Sequence, residues 1–269
     1  MRILFVGDIV GRPGRDLVRH GLAALVEQHH IDLVIANAEN AAAGFGITRE
    51  IGDQLLDYGV DVMTSGNHIW DKKEALDYIG IEPRLLRPAN YPAGAPGRGS
   101  YLVRTHDNIS VGVVNVMGRV FMVNIDDPFA VVLKEIEELK QRARIVFVDF
   151  HAEATSEKIA MGWHLDGKAT AVVGTHTHVQ TADERVLPRG TAYITDVGMT
   201  GPHDSIIGVE IDAALGKFLT ALPAKFETAT GNPRLNAVIV ETDSATGRAT
   251  DVERLSLSVE ELEHAISHV

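Results

Sequence analysis

The chain predicts a mixed α/β fold in which two β-sheets pack as a sandwich. Three observations lead there. Short apolar runs recur and end in polar residues, as where Ile3-Leu4-Phe5-Val6 gives way to Gly7-Asp8. Amphipathic stretches with apolar residues at spacing four separate the first runs, and a β-α-β-α-β order implies parallel strands with right-handed crossovers. Two later runs, residues 237–242 and 249–257, read as an antiparallel pair.

Taken in order, residues 2–7 form a buried strand. Pro13 sits where a first helical turn begins. Leu17, Gly21 and Leu25, beside Val18, Leu22 and Val26, carry that helix to about His29. Residues 32–36 are a strand, 47–58 a helix with Thr48 as candidate cap, and 60–64 a strand. Residues 87–100 are rich in Pro and Gly and read as loop. Residues 101–105 and 109–116 flank His106-Asp107-Asn108 as a hairpin. Phe129, Leu133 and Ile136 mark a helix. Residues 144–150, 169–173 and 192–195 are strands, ending at His151, Gly174 and Asp196. Ser258-Val259-Glu260-Glu261 is a capping box, and Val259, Leu262 and Ile266 stripe a last helix. No repeat or linker divides the 269 residues, so a single domain, 1–269, is expected.

Composition bounds the function. A formal charge of −12 argues against duplex DNA or an anionic membrane as partner. It leaves an anionic substrate open, since bound cations reverse a local field. Cysteine is absent, which excludes disulfides, thiolate metal sites and cysteine nucleophiles. The N-terminal apolar run is too short for a signal peptide, and no run has membrane-spanning length, so a cytoplasmic protein is expected.

The polar residues that close the strands carry the chemistry. They are Asp8, then Glu39-Asn40, then Asn67-His68, then His151, then His176 and His178. Sites in open α/β sheets form outside the carboxyl ends of strands. Imidazole is the commonest metal ligand. In extended chain, His176 and His178 at spacing two point the same way and serve one metal or two neighbours. Each residue alone has a plain reading: Asp8 as a helix cap, Glu39-Asn40 as polar loop, Gly66-Asn67 as a turn, His151 as a buried hydrogen-bonded histidine. Their recurrence at five strand ends favours a shared site. Gly7, Gly11 and Gly14 do not match a dinucleotide fingerprint, because the spacing is wrong and Asp8 repels a pyrophosphate. His20, His29, His30, His106, His264 and His268 fall on helices or a turn. His164 and His203 are left as cleft candidates.

Together these motifs resemble those of the calcineurin-like metallophosphoesterases, whose pattern is D-x-H, G-D-x-x-D, G-N-H-D/E, a lone His and G-H-x-H. Here stand Asp8-Ile9-Val10, Glu39-Asn40, Gly66-Asn67-His68, His151 and Gly174-Thr175-His176-Thr177-His178. Val10 replaces the first histidine, Glu39-Asn40 the second aspartate motif, and Thr175 is inserted in the last. These departures resemble the YmdB-type branch, the 2′,3′-cyclic-nucleotide 2′-phosphodiesterases. Gly44-Phe45-Gly46-Ile47-Thr48, residues 149–158 and residues 194–201 fit that branch too, so the likeness spans essentially the whole chain.

The resemblance implies a two-sheet αββα sandwich, the calcineurin-like metallophosphoesterase fold, holding two metal ions. Asp8, Glu39, Asn40 and His178 are implied for the first ion. Glu39, Asn67, His151 and His176 are implied for the second, with Glu39 bridging. His68 is implied as proton donor. Iron (Fe2+/Fe3+) is the implied metal, with Mn2+ the alternative; an N/O donor set does not rank them. Only Asp8 and Glu39 of this set are anionic, so two ions of about +4 to +5 and a bridging hydroxide leave a positive centre suited to a phosphodiester. The expected reaction is in-line attack by the metal-bridging hydroxide on a cyclic nucleotide or another phosphodiester, with cleavage of the 2′ bond to a 3′-phosphate implied by resemblance. A phosphomonoesterase or nucleotidase, and a nucleotide- or RNA-binding regulatory protein with little turnover, are the alternatives. Residues 87–100, 117–126 and 199–205 are the candidate substrate loops. A homo-oligomer is left open.

Overall fold

The structure, a computed structural model, describes residues 1–267; His268, expected in the last helix, lies outside the described residues. The N-terminal part runs β1 (Arg2–Val6), β2 (Asp8–Ile9), α1 (Gly11–Gln28), β3 (Leu33–Asn37), α2 (Arg49–Asp57), β4 (Val62–Thr64) and α3 (Ala75–Ile81). The middle runs β5 (Ser100–Arg104), β6 (Ser110–Met117), α4 (Pro128–Lys140), β7 (Ile145–His151), α5 (Thr155–Leu165), β8 (Ala171–Thr175), β9 (Arg185–Val186), β10 (Ala192–Ile194) and β11 (Met199–Asp204). The chain closes with α6 (Ile211–Thr220), β12 (Gly231–Asp243), β13 (Arg248–Ser258) and α7 (Val259–Ser267).

Two sheets result. In the first, β1 pairs parallel with β3, β3 parallel with β4, and β12 antiparallel with both β1 and β13. In the second, β6, β7, β8 and β10 are parallel neighbours, edged by antiparallel β5 and β9. Alternation along the strands sorts the core into layers. Ile3 and Phe5 face the second sheet, where Phe5 stacks on Phe147 at 5.5 Å between ring centroids. Leu4 and Val6 face the other way, onto Leu17, Leu22 and Leu25 of α1. Val146, Val148 and Phe150 pack outward on Val132 and Ile136 of α4 and Met161 of α5. The order is therefore helix, sheet, sheet, helix, as the resemblance implies.

Several boundaries differ from the sequence reading. α1 begins at Gly11, two residues before Pro13, and Val10 rather than Asp8 occupies its cap position, so Asp8 is not a helix cap. α2 begins after Thr48, whose hydroxyl accepts from the Ile51 N–H at 3.3 Å and stops the helix there. Residues 199–204, expected as loop, form β11 between β2 and β12; Gly201 and Pro202 interrupt the apolar run that normally marks a strand. The capping box of α7 forms reciprocally: Ser258 N–H donates to Glu261 at 2.7 Å, and Glu261 N–H to the Ser258 hydroxyl at 3.2 Å. No helix among the described residues is long and apolar enough to cross a membrane.

Candidate metal centre

The parallel strands of both sheets run in one sense, so β1, β3, β4, β7 and β8 deliver their C-terminal ends to one rim. Asp8, Glu39, Asn40 and His151 are buried there; His68, His176 and His178 are partly exposed. Gly66 precedes Asn67 because the His151 ring lies against its Cα, where any Cβ would collide.

One cluster gathers around His151. Its Nε2 lies 3.0 Å from Glu39 Oε1, 2.9 Å from Asn67 Oδ1 and 3.0 Å from His176 Nδ1. A cation with bonds of about 2.1 Å at right angles holds its ligand atoms about 3 Å apart. Glu39, His151 and His176 each offer a ligand atom, all within 4.8 Å of one another. The second cluster gathers around His178, whose Nε2 lies 3.2 Å from Asn40 Nδ2 and 3.8 Å from Asp8 Oδ1. Asp8 Oδ1 is wholly buried without a hydrogen-bond partner, a costly arrangement for a carboxylate that a bound cation relieves. Asn40 presents its amide nitrogen here, so ligation through its oxygen takes a flip of the amide. Glu39 Oε1 is shared between the clusters, also receiving the Asn40 amide at 3.5 Å, while Oε2 takes the His68 backbone N–H at 3.0 Å. The donor set fits an N/O-ligated metal.

Each histidine is held from behind through its other nitrogen, which selects the one that faces inward. His151 Nδ1 meets Thr175 Oγ1 at 2.9 Å, His176 Nε2 meets Glu153 at 3.0 Å, and His178 Nδ1 meets the Ile207 carbonyl at 2.8 Å. Neither His176 nor His178 is in extended chain: β8 ends at Thr175, and their φ values are +99° and +66°. The strand-based reason for their common direction therefore does not apply. Their orientation comes from a left-handed turn, a strained conformation for residues with a Cβ. Asp196 holds that turn, accepting from Thr177 N–H at 3.1 Å, Thr177 Oγ1 at 2.7 Å and the buried Lys158 ammonium at 2.6 Å.

Without metal the carboxylates and imidazoles polarise one another. Burial alone would raise Glu39, but the neighbouring His151 charge and hydrogen bond, with His68, bring it to about 2. Burial alone would lower His151, but Glu39, Asp8 and Asp149 raise it to about 9. His176 is lowered to about 3 by burial and by the His151 charge. Burial raises Asp149 to about 7 against the hydrogen bonds from Thr64 and Thr175.

Over these groups opens a cleft of about 330 Å³ whose lining includes His68, Phe45, Glu153, Ile207 and Phe226. His68 Nδ1 lies 2.8 Å from Asp71 Oδ2, and its ring packs edge-on to Phe45, leaving Nε2 free. None of the three expected substrate loops lines this cleft. His164 packs on Phe129, and His203 bonds to Asn236 and the Gly201 carbonyl; neither reaches it.

A family model described as YmdB-like protein matches residues 4–255. The chain belongs to the YmdB-like family. A 2′,3′-cyclic-nucleotide 2′-phosphodiesterase of Bacillus subtilis (strain 168) is 49% identical over 258 residues, 96% of this chain and 97% of its own. A solved structure of a hypothetical protein from Thermus thermophilus is 44% identical, with a TM-score of 0.89, covering 96% of this chain and 99% of that one. Another, described as a novel phosphatase from Mycoplasma pneumoniae, is 34% identical with a TM-score of 0.90, covering 98% of this chain and 96% of its own.

Asp71 is not singled out in the sequence, while Glu153, Lys158 and Asp196 stand in stretches that fit the resemblance but carry no assigned role. Asp71 was within reach, since His68 and Asp71 stand three apart, a spacing at which side chains meet on a helical turn. Glu153, Lys158 and Asp196 meet their partners only through the fold and carry types that usually read as surface.

Proposed function

We propose that this protein hydrolyses 2′,3′-cyclic nucleotides, opening the 2′ bond and leaving a 3′-phosphate. It is a hydrolytic enzyme of the YmdB-like family, and the Bacillus subtilis relative bears that activity in its name. The observation that carries the reading is the convergence of Glu39, Asn67 and His176 on His151 Nε2 at about 3 Å, beside the orphaned Asp8 carboxylate oxygen. In this reading Asp8, Glu39, Asn40 and His178 hold one ion. Glu39, Asn67, His151 and His176 hold the other, with Glu39 Oε1 common to both. Iron is the metal proposed, with manganese the alternative, on an N/O donor set free of sulfur. When bound, such a pair supplies positive charge to the phosphoryl oxygens and an activated water at neutral pH.

The chain's own residues do the rest. Asp71 accepts from Nδ1 of His68 and turns Nε2 toward the cleft. As imidazolium, His68 gives the Nε2 proton to O2′ while the P–O2′ bond breaks and a water oxygen joins phosphorus. Water supplies the proton that restores His68. Phe45 limits rotation of that ring.

The test is turnover of bis-nitrophenyl phosphate by metal-loaded protein, with metal content measured on the same sample. The reading expects two ions per chain and turnover that chelation abolishes. No turnover with iron or manganese contradicts it.

A further inference from the structure

The cleft has an unusual charge pattern for a site that receives a phosphate. Its lining contains no lysine or arginine among the described residues. Apart from the clustered metal-ligand candidates and His68, its charged group is Glu153. That carboxylate is half exposed and sits 3.0 Å from His176 Nε2, at the edge of the reacting centre. Val10, Phe45, Ile207, Val209 and Phe226 line the cleft with carbon. Lys217 lies 5.0 Å from the centroid of the Phe226 ring, outside the lining. Positive charge offered to a substrate would therefore come from metal held by the floor residues and from His68, not from the walls. A second phosphate on the same substrate would find carbon surface, one carboxylate and a chain of formal charge −12. The volume, about 330 Å³, lies at the lower end of ligand pockets, which run from about 300 to 1,000 Å³.

We propose that the cleft selects a cyclic mononucleotide whose only phosphate is the reacting one, and that Glu153 rejects substrates bearing a further phosphate on the 5′ side. A nucleic-acid 3′ end closed by a cyclic phosphate is the excluded class, because its next linkage places an anion beyond the floor. The nucleoside itself rests on the apolar lining, with Phe226 offering a ring to the base; base–aromatic stacking is sequence-tolerant, so no preference among bases is expected. This inference rests on the phosphodiesterase reading above and adds the discrimination.

Three substrates separate the two claims: 2′,3′-cyclic AMP, its 5′-phosphorylated form, and a dinucleotide with a 2′,3′-cyclic end. Each is assayed with metal-loaded wild type, Glu153→Gln and Phe226→Ala, with bis-nitrophenyl phosphate as reference and metal content measured throughout. Glutamine keeps an oxygen that accepts from His176 Nε2, so E153Q isolates the charge. The wild type should prefer the 5′-hydroxyl substrate by about tenfold or more in kcat/KM. E153Q should narrow that ratio several-fold at full metal content. F226A should raise KM for 2′,3′-cyclic AMP by about tenfold, as loss of one base–aromatic contact predicts. Equal kcat/KM for the 5′-hydroxyl and 5′-phosphoryl forms in the wild type, or a ratio unmoved by E153Q, overturns the discrimination. An unchanged KM in F226A overturns the placement of the base. Absence of bis-nitrophenyl phosphate turnover strikes the parent reading instead.

Discussion

Nδ1 of His151 lies 2.9 Å from Oγ1 of Thr175, and this contact decides which nitrogen of the buried ring faces Glu39, Asn67 and His176. The hydroxyl has one proton and directs it to Asp149 Oδ1 at 2.8 Å, so it accepts from His151 Nδ1–H, and it is Nε2 that turns inward and exposes its lone pair once the ring gives up its second proton. Thr175 is the residue that departs from the general G-H-x-H pattern. Thr175→Val should leave Asp149 and His151 each short of a partner. The expected cost is about 1–3 kcal/mol of stability in urea unfolding, with metal affinity down about 10–100-fold. Thr175→Ser should restore most of both. A valine variant with unchanged affinity by competition titration would show that the ring needs no such anchor.

Metal uptake should depend on pH through His151. Its pKa of about 9 leaves it protonated at pH 7 in the metal-free protein, while Glu39 at about 2 is ionised and His176 at about 3 is neutral. A cation must displace the His151 proton, so apparent affinity should rise about tenfold per pH unit below pH 9 and level off above it. Calorimetry in buffers of different ionisation enthalpy should count about one proton released at this position near pH 7. Affinity that is flat between pH 6 and 8 contradicts the assignment.

His68→Ala should keep its metal and lose about 10²–10⁴ in kcat on a cyclic nucleotide, with a smaller loss on a nitrophenyl ester whose leaving group needs no proton. Asp71→Asn should fall between wild type and H68A on the nucleotide, since it removes the carboxylate that orients the ring. Parallel losses on both substrates would assign His68 to binding rather than to proton transfer.

Lys158 and Asp196 form an ion pair at 2.6 Å with both side chains only 1% exposed. Removing one partner leaves a buried charge, so Lys158→Met should cost about 3–5 kcal/mol in urea unfolding of the metal-free protein. Asp196→Ala should cost as much and also reduce metal content, because the left-handed turn carrying His176 and His178 loses its acceptor. A cost below about 1 kcal/mol in both variants would show that the turn holds itself.

Much of the fold and the rim of the site could be read from the chain because buried parallel strands are continuous apolar runs, and each of these stops at a polar residue. Other elements were hidden by their residues. The buried positions of α5 include Glu157 and Lys158, which break its apolar periodicity although Met161, Gly162 and Leu165 follow at helical spacing. α6 misleads in the opposite sense: of its residues Ala214 is buried, while Leu215, Phe218 and Leu219 are exposed. In the site, the inward groups were legible and the groups behind them were not. Glu153, Thr175 and the Ile207 carbonyl act through distances that only the folded chain creates, and nothing in a local pattern marks a histidine as left-handed.

The central claim is a hydrolase that breaks the P–O2′ bond of a cyclic nucleotide at the centre joining the two sheets. Its most direct test is phosphorus NMR of the product formed from 2′,3′-cyclic AMP by metal-loaded protein. The account predicts 3′-AMP as the product, lost on chelation and strongly slowed in H68A. Release of 2′-AMP, or an unaltered substrate beside full metal occupancy, would contradict it.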